Sequence, residues 1–356
     1  MAQQTKKLLL TGATGYMHVE RGGTVLYDLL HSTIPKVQEL DISILLRNAS
    51  LTEYFEAQGA TVIPFTSLDD TAHIRTIASA HDIVIHTASG LHTASAEALI
   101  RGLGDRKAET GAEVTYIHTS GCTNIGDRPL SLGFVDKSLH SDKDDVHTLL
   151  VEREKLFQWT QRQTDLVTVA TGEEVGVRTY IIMVPQVFGF GKGVARINKL
   201  LSFWVDTQVE RGRANYIGDG DGVWSMVDIA DAAALYVLLL AKVLEGAPPA
   251  SGKKGWFFLS ATEMTLKEWA RKQGDAGVQA GIFKETEPES VTVEELAKDN
   301  GWLAGFMEIL ASSARMRPDR ARELGWGPVK GTNGWEEEWT DMFVELYKQK
   351  AAGSGK

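Results

Sequence analysis

The residues best placed to do chemistry begin at Thr11-Gly12-Ala13-Thr14-Gly15-Tyr16. This stretch directly follows Lys7–Leu10, an apolar run that reads as a strand, and precedes a helical stretch around Thr24–His31. Glycines at such a turn let the backbone come close to a pyrophosphate, and the helix N-terminus offers N–H groups and the positive end of its dipole. A lone glycine pair says little. Set between a first strand and a helix, in a chain that goes on repeating both, it points to a dinucleotide. After the second strand, Ile42–Leu46, an acid would bind the ribose hydroxyls of NAD. The chain has Arg47-Asn48 there, and a guanidinium can pair with a 2′-phosphate. NADP(H) is therefore expected over NAD(H), the plainer alternative being a solvated surface arginine. The histidines are scattered without ligand spacing, so no metal is expected, and no Gly-x-Ser-x-Gly elbow is present.

These residues need a scaffold. Thr61–Pro64, Ile83–His86, Val114–His118 and Arg178–Met183 read as further strands, and Leu51–Gln58, Thr71–Ser79 and Ser95–Thr110 as the helices between them. Strands alternating with helices at this spacing make parallel βαβ units. The expected fold is α/β: a Rossmann-type doubly wound parallel sheet with a smaller, mostly helical C-terminal substrate region. Residues 1–190 form the dinucleotide-binding domain and 191–350 the substrate region, with part of 224–260 returning to the first core. Asn124–Val146 is polar and reads either as a mobile loop over the site or as a solvated surface loop. Leu149–Glu174 reads as one long helix. Eight of the nine tryptophans lie beyond residue 200, as core of the second region or as the lining of an aromatic pocket.

The 356 residues carry a net charge of −10, which argues against nucleic acid or an anionic membrane as the main partner. Cys122 is the single cysteine, so no intrachain disulfide can form and a cytoplasmic setting is expected. Ala232–Ala241, the longest late apolar run, is far short of the ~20 residues of a membrane helix.

Several stretches together resemble the extended and atypical short-chain dehydrogenase/reductase superfamily, including epimerase/dehydratase-like and NmrA-like proteins. They are Thr11–Tyr16, Asp82-Ile-Val-Ile-His-Thr-Ala-Ser89, Thr119-Ser120-Gly121, Gly176–Gly189, Trp224–Asp231 and Arg320–Pro328. The resemblance spans nearly the whole chain. It implies that Thr87, Ala88 and Ser89 border the nicotinamide-side ribose, that Pro185 lies at the cofactor, and that Ser120 orients the substrate oxygen. It also implies two departures. The third glycine of the fingerprint falls at His18, as if His18 to Arg21 were inserted, so that Gly22 or Gly23 takes its part. The tyrosine and lysine of the proton relay fall at Phe157 and Gln161, which have no hydroxyl and no ionisable group. Ser67 and Leu68 stand where the family often has an aspartate facing adenine. Lys143, His147, Lys155 and Tyr180 are the nearby substitutes for the relay, each more ordinarily a surface residue. The resemblance implies an NADP(H)-dependent oxidoreductase or epimerase/dehydratase-like enzyme acting on a small molecule. The alternative is a non-catalytic NmrA-like redox sensor working through a protein partner.

Overall fold

The first strand, β1 (Lys7–Thr11), shows how the core is built. Its side chains alternate between faces, and so do those of its neighbours. Leu8 and Leu10 join Ile42, Ile44, Ile83 and Ile85 in one apolar layer. Leu9 joins Leu45 and Val84 in the layer opposite. A strand buried on both faces must be mainly apolar, and in these strands Thr11, Ser43 and His86 are the buried polar residues. The computed structural model describes residues 5–15, 22–300, 308–330 and 335–353.

The elements run β1, α1 (Gly23–Leu30), α2 (Pro35–Gln38), β2 (Asp41–Leu46), α3 (Thr52–Glu56), β3 (Thr61–Pro64), α4 (Thr71–Ala78), β4 (Ile83–His86), α5 (Thr93–Thr110) and β5 (Thr115–Gly121). There follow β6 (His140–Ser141), α6 (Val146–Leu156), α7 (Thr160–Val175), β7 (Arg178–Val184), β8 (Gln186–Phe188), α8 (Lys199–Arg211), β9 (Asn215–Ile217), β10 (Val223–Asp228) and α9 (Ile229–Leu244). The remainder comprises β11 (Trp256–Phe258), β12 (Thr262–Thr265), α10 (Leu266–Gln279), β13 (Glu289–Val291), α11 (Val293–Asn300), β14 (Met316–Arg317), α12 (Asp319–Leu324) and α13 (Trp335–Gly353). Seven strands form one parallel sheet in the order β11-β7-β5-β4-β1-β2-β3. Helices α1, α2 and α9 cover one face, and α4, α5 and α7 the other. The strand order reverses between β1 and β4, and ligands of such sheets bind at that point, outside the carboxyl ends of the strands. No helix among the described residues is long and apolar enough to cross a membrane.

In the second half, β11 returns to pair with β7 at the edge of the main sheet. Among the described residues, the tryptophans there pack as core: Trp269 lies 6.4 Å from Trp204 and 5.3 Å from Trp339, ring centre to ring centre, and all three are buried.

Two sequence expectations need correction. Leu149–Glu174 is not one helix. It breaks after Leu156, and Phe157 and Trp159 are extended (φ −155° and −145°). Helical periodicity on both sides hides this break, which tertiary contacts impose. The Phe157 ring lies 4.5 Å from the guanidinium carbons of both Arg128 and Arg162, and Arg162 donates to the Phe157 carbonyl. The stretch 124–146 is mixed: most of 131–139 is exposed, as the surface-loop reading expects, while residues on either side of it are built into the fold. Asp127 and Asp142 are buried, and β6 pairs with β14. Asp142 accepts from the backbone N–H groups of Phe258, Arg320 and Ala321 at 3.1, 2.6 and 3.3 Å. The buried polar residues of this stretch serve as internal bonding partners for a distant part of the chain.

Asp228 caps α9, accepting from Ala230 N at 2.7 Å, and is fully buried. Burial, with the Glu338 charge nearby, pushes its pKa up from 3.8 to about 6. The folded state therefore holds this proton more tightly than the unfolded chain. Its contribution to stability is fully present below about pH 4 and is lost as pH rises through about 6. Two units correspond to about 3 kcal/mol. Asn is an equally good cap, so Asp228→Asn should flatten the fall in stability between pH 4 and 7 by about that amount. Equal pH slopes for the two proteins in calorimetry would refute this.

Candidate functional site

A cleft of about 580 Å³ opens at the carboxyl ends of β1, β2 and β4. Gly12 and Thr14 line it from the turn after β1, and Ala88 and Ser89 from the end of β4. Arg47 and Asn48 line it from the end of β2. Leu51, Phe65 and Leu68 give it an apolar wall. Five residues expected from sequence thus converge on one cavity: Gly12, Thr14, Arg47, Ala88 and Ser89. Of the apolar wall, Leu68 stands at the position expected to face adenine, whereas Leu51 and Phe65 were missed. Their only signal was position, just beyond the ends of β2 and β3.

The cradle is built by close backbone approach. Gly12 has φ +83°, and a Cβ there would lie 2.8 Å from Ala88 N and from Thr87 Oγ1. Thr11, Ala13 and Thr87 are buried and shape the turn from beneath. Thr87 Oγ1 donates to the Thr11 carbonyl at 2.6 Å, and Thr11 Oγ1 lies 2.7 Å from His86 Nδ1. Gly15 N donates to Gly12 O, closing the turn. Tyr16 and the His18–Arg21 stretch lie outside the described residues. Beyond them the chain re-enters at Gly22, whose N–H donates to Gly12 O at 2.7 Å, while Gly23 N donates to Gly15 O at 3.0 Å. Both glycines are needed for packing: a Cβ on Gly22 would meet Leu10 at 2.7 Å, and one on Gly23 would meet Gly15 O at 2.6 Å. Helix α1 therefore begins with the N–H groups of its N-cap, Gly22, and of its first residue, Gly23, spent on the turn itself. Gly193, on the crossing after β8, packs against the same glycine, and Lys192 N donates to Thr24 Oγ1.

Arg47 is exposed at the cleft mouth. Ser67 Oγ donates to Asp69, and Asp69 accepts from or pairs with His92 Nε2 at 3.0 Å. Pro185 is buried between β7 and β8 and is not among the residues lining the cleft.

Ser120 is not among the residues lining this cleft. It is fully buried, and its hydroxyl donates to Asp165 Oδ2 at 2.6 Å. Asn124 Nδ2 donates to the same oxygen at 2.6 Å, and His118 Nε2 lies 3.5 Å from Asp165 Oδ1. Tyr116 hydrogen bonds to His118 Nδ1 at 3.2 Å. Burial and the Asp165 charge push the Tyr116 phenol well above its usual pKa. Sequence reasoning missed this buried network because Asp165 lies on α7, far along the chain from Tyr116, His118 and Ser120 on β5 and from Asn124 just after it.

Successive residues of a strand face opposite ways, so Gly121 takes the side that Ser120 leaves. A Cβ on Gly121 would lie 2.8 Å from Gln161 Oε1, and one on Gly90 would lie 3.0 Å from Gln161 Nε2. Gln161 is buried between these glycines and accepts from Thr123 Oγ1 at 2.8 Å. Phe157 lies in the extended break itself and Gln161 in the first turn of α7, so they do not share a helix face. The four nearby substitutes are also accounted for. Lys155 is exposed and pairs with Glu152, and the Tyr180 hydroxyl donates to Pro249 O. Lys143 and His147 line a different cleft. Cys122 is buried in an apolar cluster with Ile125 and Leu150.

No family model matches this chain, and no curated protein sequence is detectably similar to it. Solved structures are similar over its whole length. A dTDP-glucose 4,6-dehydratase from Streptomyces venezuelae, with NAD bound, aligns at TM-score 0.65 and 16% identity, covering 98% of each chain. A UDP-glucose 4-epimerase from Thermotoga maritima aligns at 0.61 and 16%, covering 97% of this chain and 99% of that one. Vestitone reductase from alfalfa aligns at 0.58 and 16%, covering 98% and 99%. At such identity the likeness establishes the fold, which these dehydratase, epimerase and reductase structures share with this chain over 97% or more of its length.

Proposed function

We propose that this protein, built on that fold, binds NADP(H) in the 580 Å³ cleft and works as an oxidoreductase on a small organic molecule. The observation that carries the reading is the convergence of Gly12, Thr14, Ala88, Ser89 and Arg47 on one cavity at the switch point of the sheet. Gly12 lets the turn approach a pyrophosphate. The Leu51–Phe65–Leu68 wall suits an adenine face. Arg47 stands where an acid would select NAD and can pair with a 2′-phosphate.

The nicotinamide supplies or accepts hydride when bound; the chain must manage the accompanying proton. The Gly121–Gln161–Thr123 corner offers an amide and a hydroxyl, which polarise an oxygen without carrying an ionisable proton. Missing general acid catalysis typically costs 10²–10⁴-fold, so slow turnover is expected. Ser120 acts in this proposal as a positioning residue, holding the end of β5 through Asp165. The same proton-poor corner favours a second reading, a dinucleotide sensor read out by a protein partner.

Arg47→Ala should weaken NADPH by about 10- to 100-fold, since a charge-assisted bond contributes roughly 1.5–3 kcal/mol, and leave NADH within about twofold. Equal losses for both cofactors in calorimetry would sink the NADP(H) assignment. A turnover screen with NADPH and aldehydes, ketones and nucleotide sugars decides between the readings. Tight binding with no turnover of any of them overturns the enzyme in favour of the sensor.

A further inference from the structure

Lys143 and His147 lie on a second cleft, of about 680 Å³, between the start of α6, the turn before β11 and the start of α12. Strand β11 is the edge of the main sheet, four strand steps from β1. At about 4.8 Å per step, β11 and β1 are roughly 19 Å apart across the sheet, and Lys253 and Lys254 precede β11 whereas the first cleft lies beyond the carboxyl ends of the strands. We propose that this second cleft binds the phosphate group of a small anionic molecule, separately from the dinucleotide.

Five basic side chains reach it from three separate segments: Lys143, His147, Lys253, Lys254 and Arg320. Such a convergence runs against the overall charge of −10. Asp144 and Asp145 also line the cleft, but their carboxylates are engaged with the chain. Asp144 Oδ2 accepts from Ser141 N at 2.8 Å. Asp145 accepts from Thr148 N at 3.1 Å and from Thr148 Oγ1 at 2.8 Å, capping α6. Lys143 pairs with Glu323 and Lys253 with Glu173, glutamates that do not line the cleft. Exposed pairs of this kind contribute little and exchange readily. Among the described residues, neither Lys254 nor the Arg320 guanidinium has a carboxylate within ion-pair distance; Arg320 Nε donates only to the Asp142 carbonyl, at 3.2 Å. His147 Nδ1 is buried and makes no hydrogen bond. The N-terminus of α6, an eleven-residue helix, adds its positive dipole end.

Every residue lining the cleft is polar or charged, which suits a compact hydrophilic anion held by charge-assisted hydrogen bonds rather than an apolar molecule. A long polyanion would meet the repulsion of the rest of the surface. Burial and the Lys253 charge hold the His147 pKa below 6.5, with Glu173 and Asp145 acting in the opposite direction. An anion seated among these groups favours the charged imidazole and raises that pKa.

Inorganic pyrophosphate is the probe, and the His147 imidazole resonance in NMR is the readout, because pyrophosphate also fits the first cleft. Saturable shifts of His147 are expected, with its titration midpoint moving up. Lys254→Glu should weaken that response about tenfold or more while leaving melting and NADPH affinity unchanged. Arg47→Ala, in the first cleft, should leave the His147 response intact. A His147 resonance that does not saturate with pyrophosphate overturns the proposal. So does an equal response in Lys254→Glu, or an equal response to acetate, which carries no phosphate.

Discussion

Replacing Gly12 by alanine is expected to weaken dinucleotide binding about 100-fold or more. Gly12 has φ +83°, a conformation that costs an L-residue roughly 1–2 kcal/mol. The new Cβ would also lie 2.8 Å from Ala88 N and 2.9 Å from Ala88 Cα, which are backbone atoms that cannot swing aside. The turn must move away from the end of β4, and this opens the cradle. Each 1.4 kcal/mol is tenfold in affinity. Gly59→Ala is the control. It has a similar φ, +94°, but nothing within 4 Å of the added carbon, and Gly59 does not line the cleft. It should lower the melting temperature by an amount corresponding to about 1–2 kcal/mol and leave binding unchanged. If Gly12→Ala folds and binds NADPH like the parent, the site lies elsewhere.

Asp165→Ala should cost about 3–5 kcal/mol of stability, measured by denaturant unfolding. Its carboxylate holds the Ser120 hydroxyl and the Asn124 amide, each at 2.6 Å, and lies near His118. All four residues are fully buried, so their polar groups would lose a partner without gaining water. Ser120→Ala removes a single hydroxyl and should cost only about 1–2 kcal/mol. A loss below about 1 kcal/mol for Asp165→Ala would mean that the network does not hold β5 to α7. The comparison also bears on function. If Ser120→Ala lowers turnover no further than it loosens the fold, its role is positioning.

Much of the architecture was legible in the chain. β4 spans the residues its composition marks, because a strand buried on both faces must be mainly apolar, and the partly exposed edge strand β3 was legible from its Val-Ile pair. The Thr11–Gly15 turn was legible for a related reason: few residues besides glycine allow that backbone path. Arg47 was legible by position, since a strand end in a parallel sheet has one address. Where local pattern and tertiary contact disagreed, the contact prevailed. The helical pattern of Leu149–Glu174 is broken at Phe157 by two guanidinium groups, one of them from residue 128.

The sequence by itself determined the alternating strands and helices of the first 120 residues, the later strand β7, the glycine turn and the residue that follows β2, because periodicity and backbone conformation are local properties. Only the tertiary structure decided which way Ser120 faces, that Phe157 and Gln161 are parted, and that Lys143 and His147 meet Lys253, Lys254 and Arg320 in a second cleft. Those outcomes depend on burial and on partners far apart along the chain, and no local pattern encodes them.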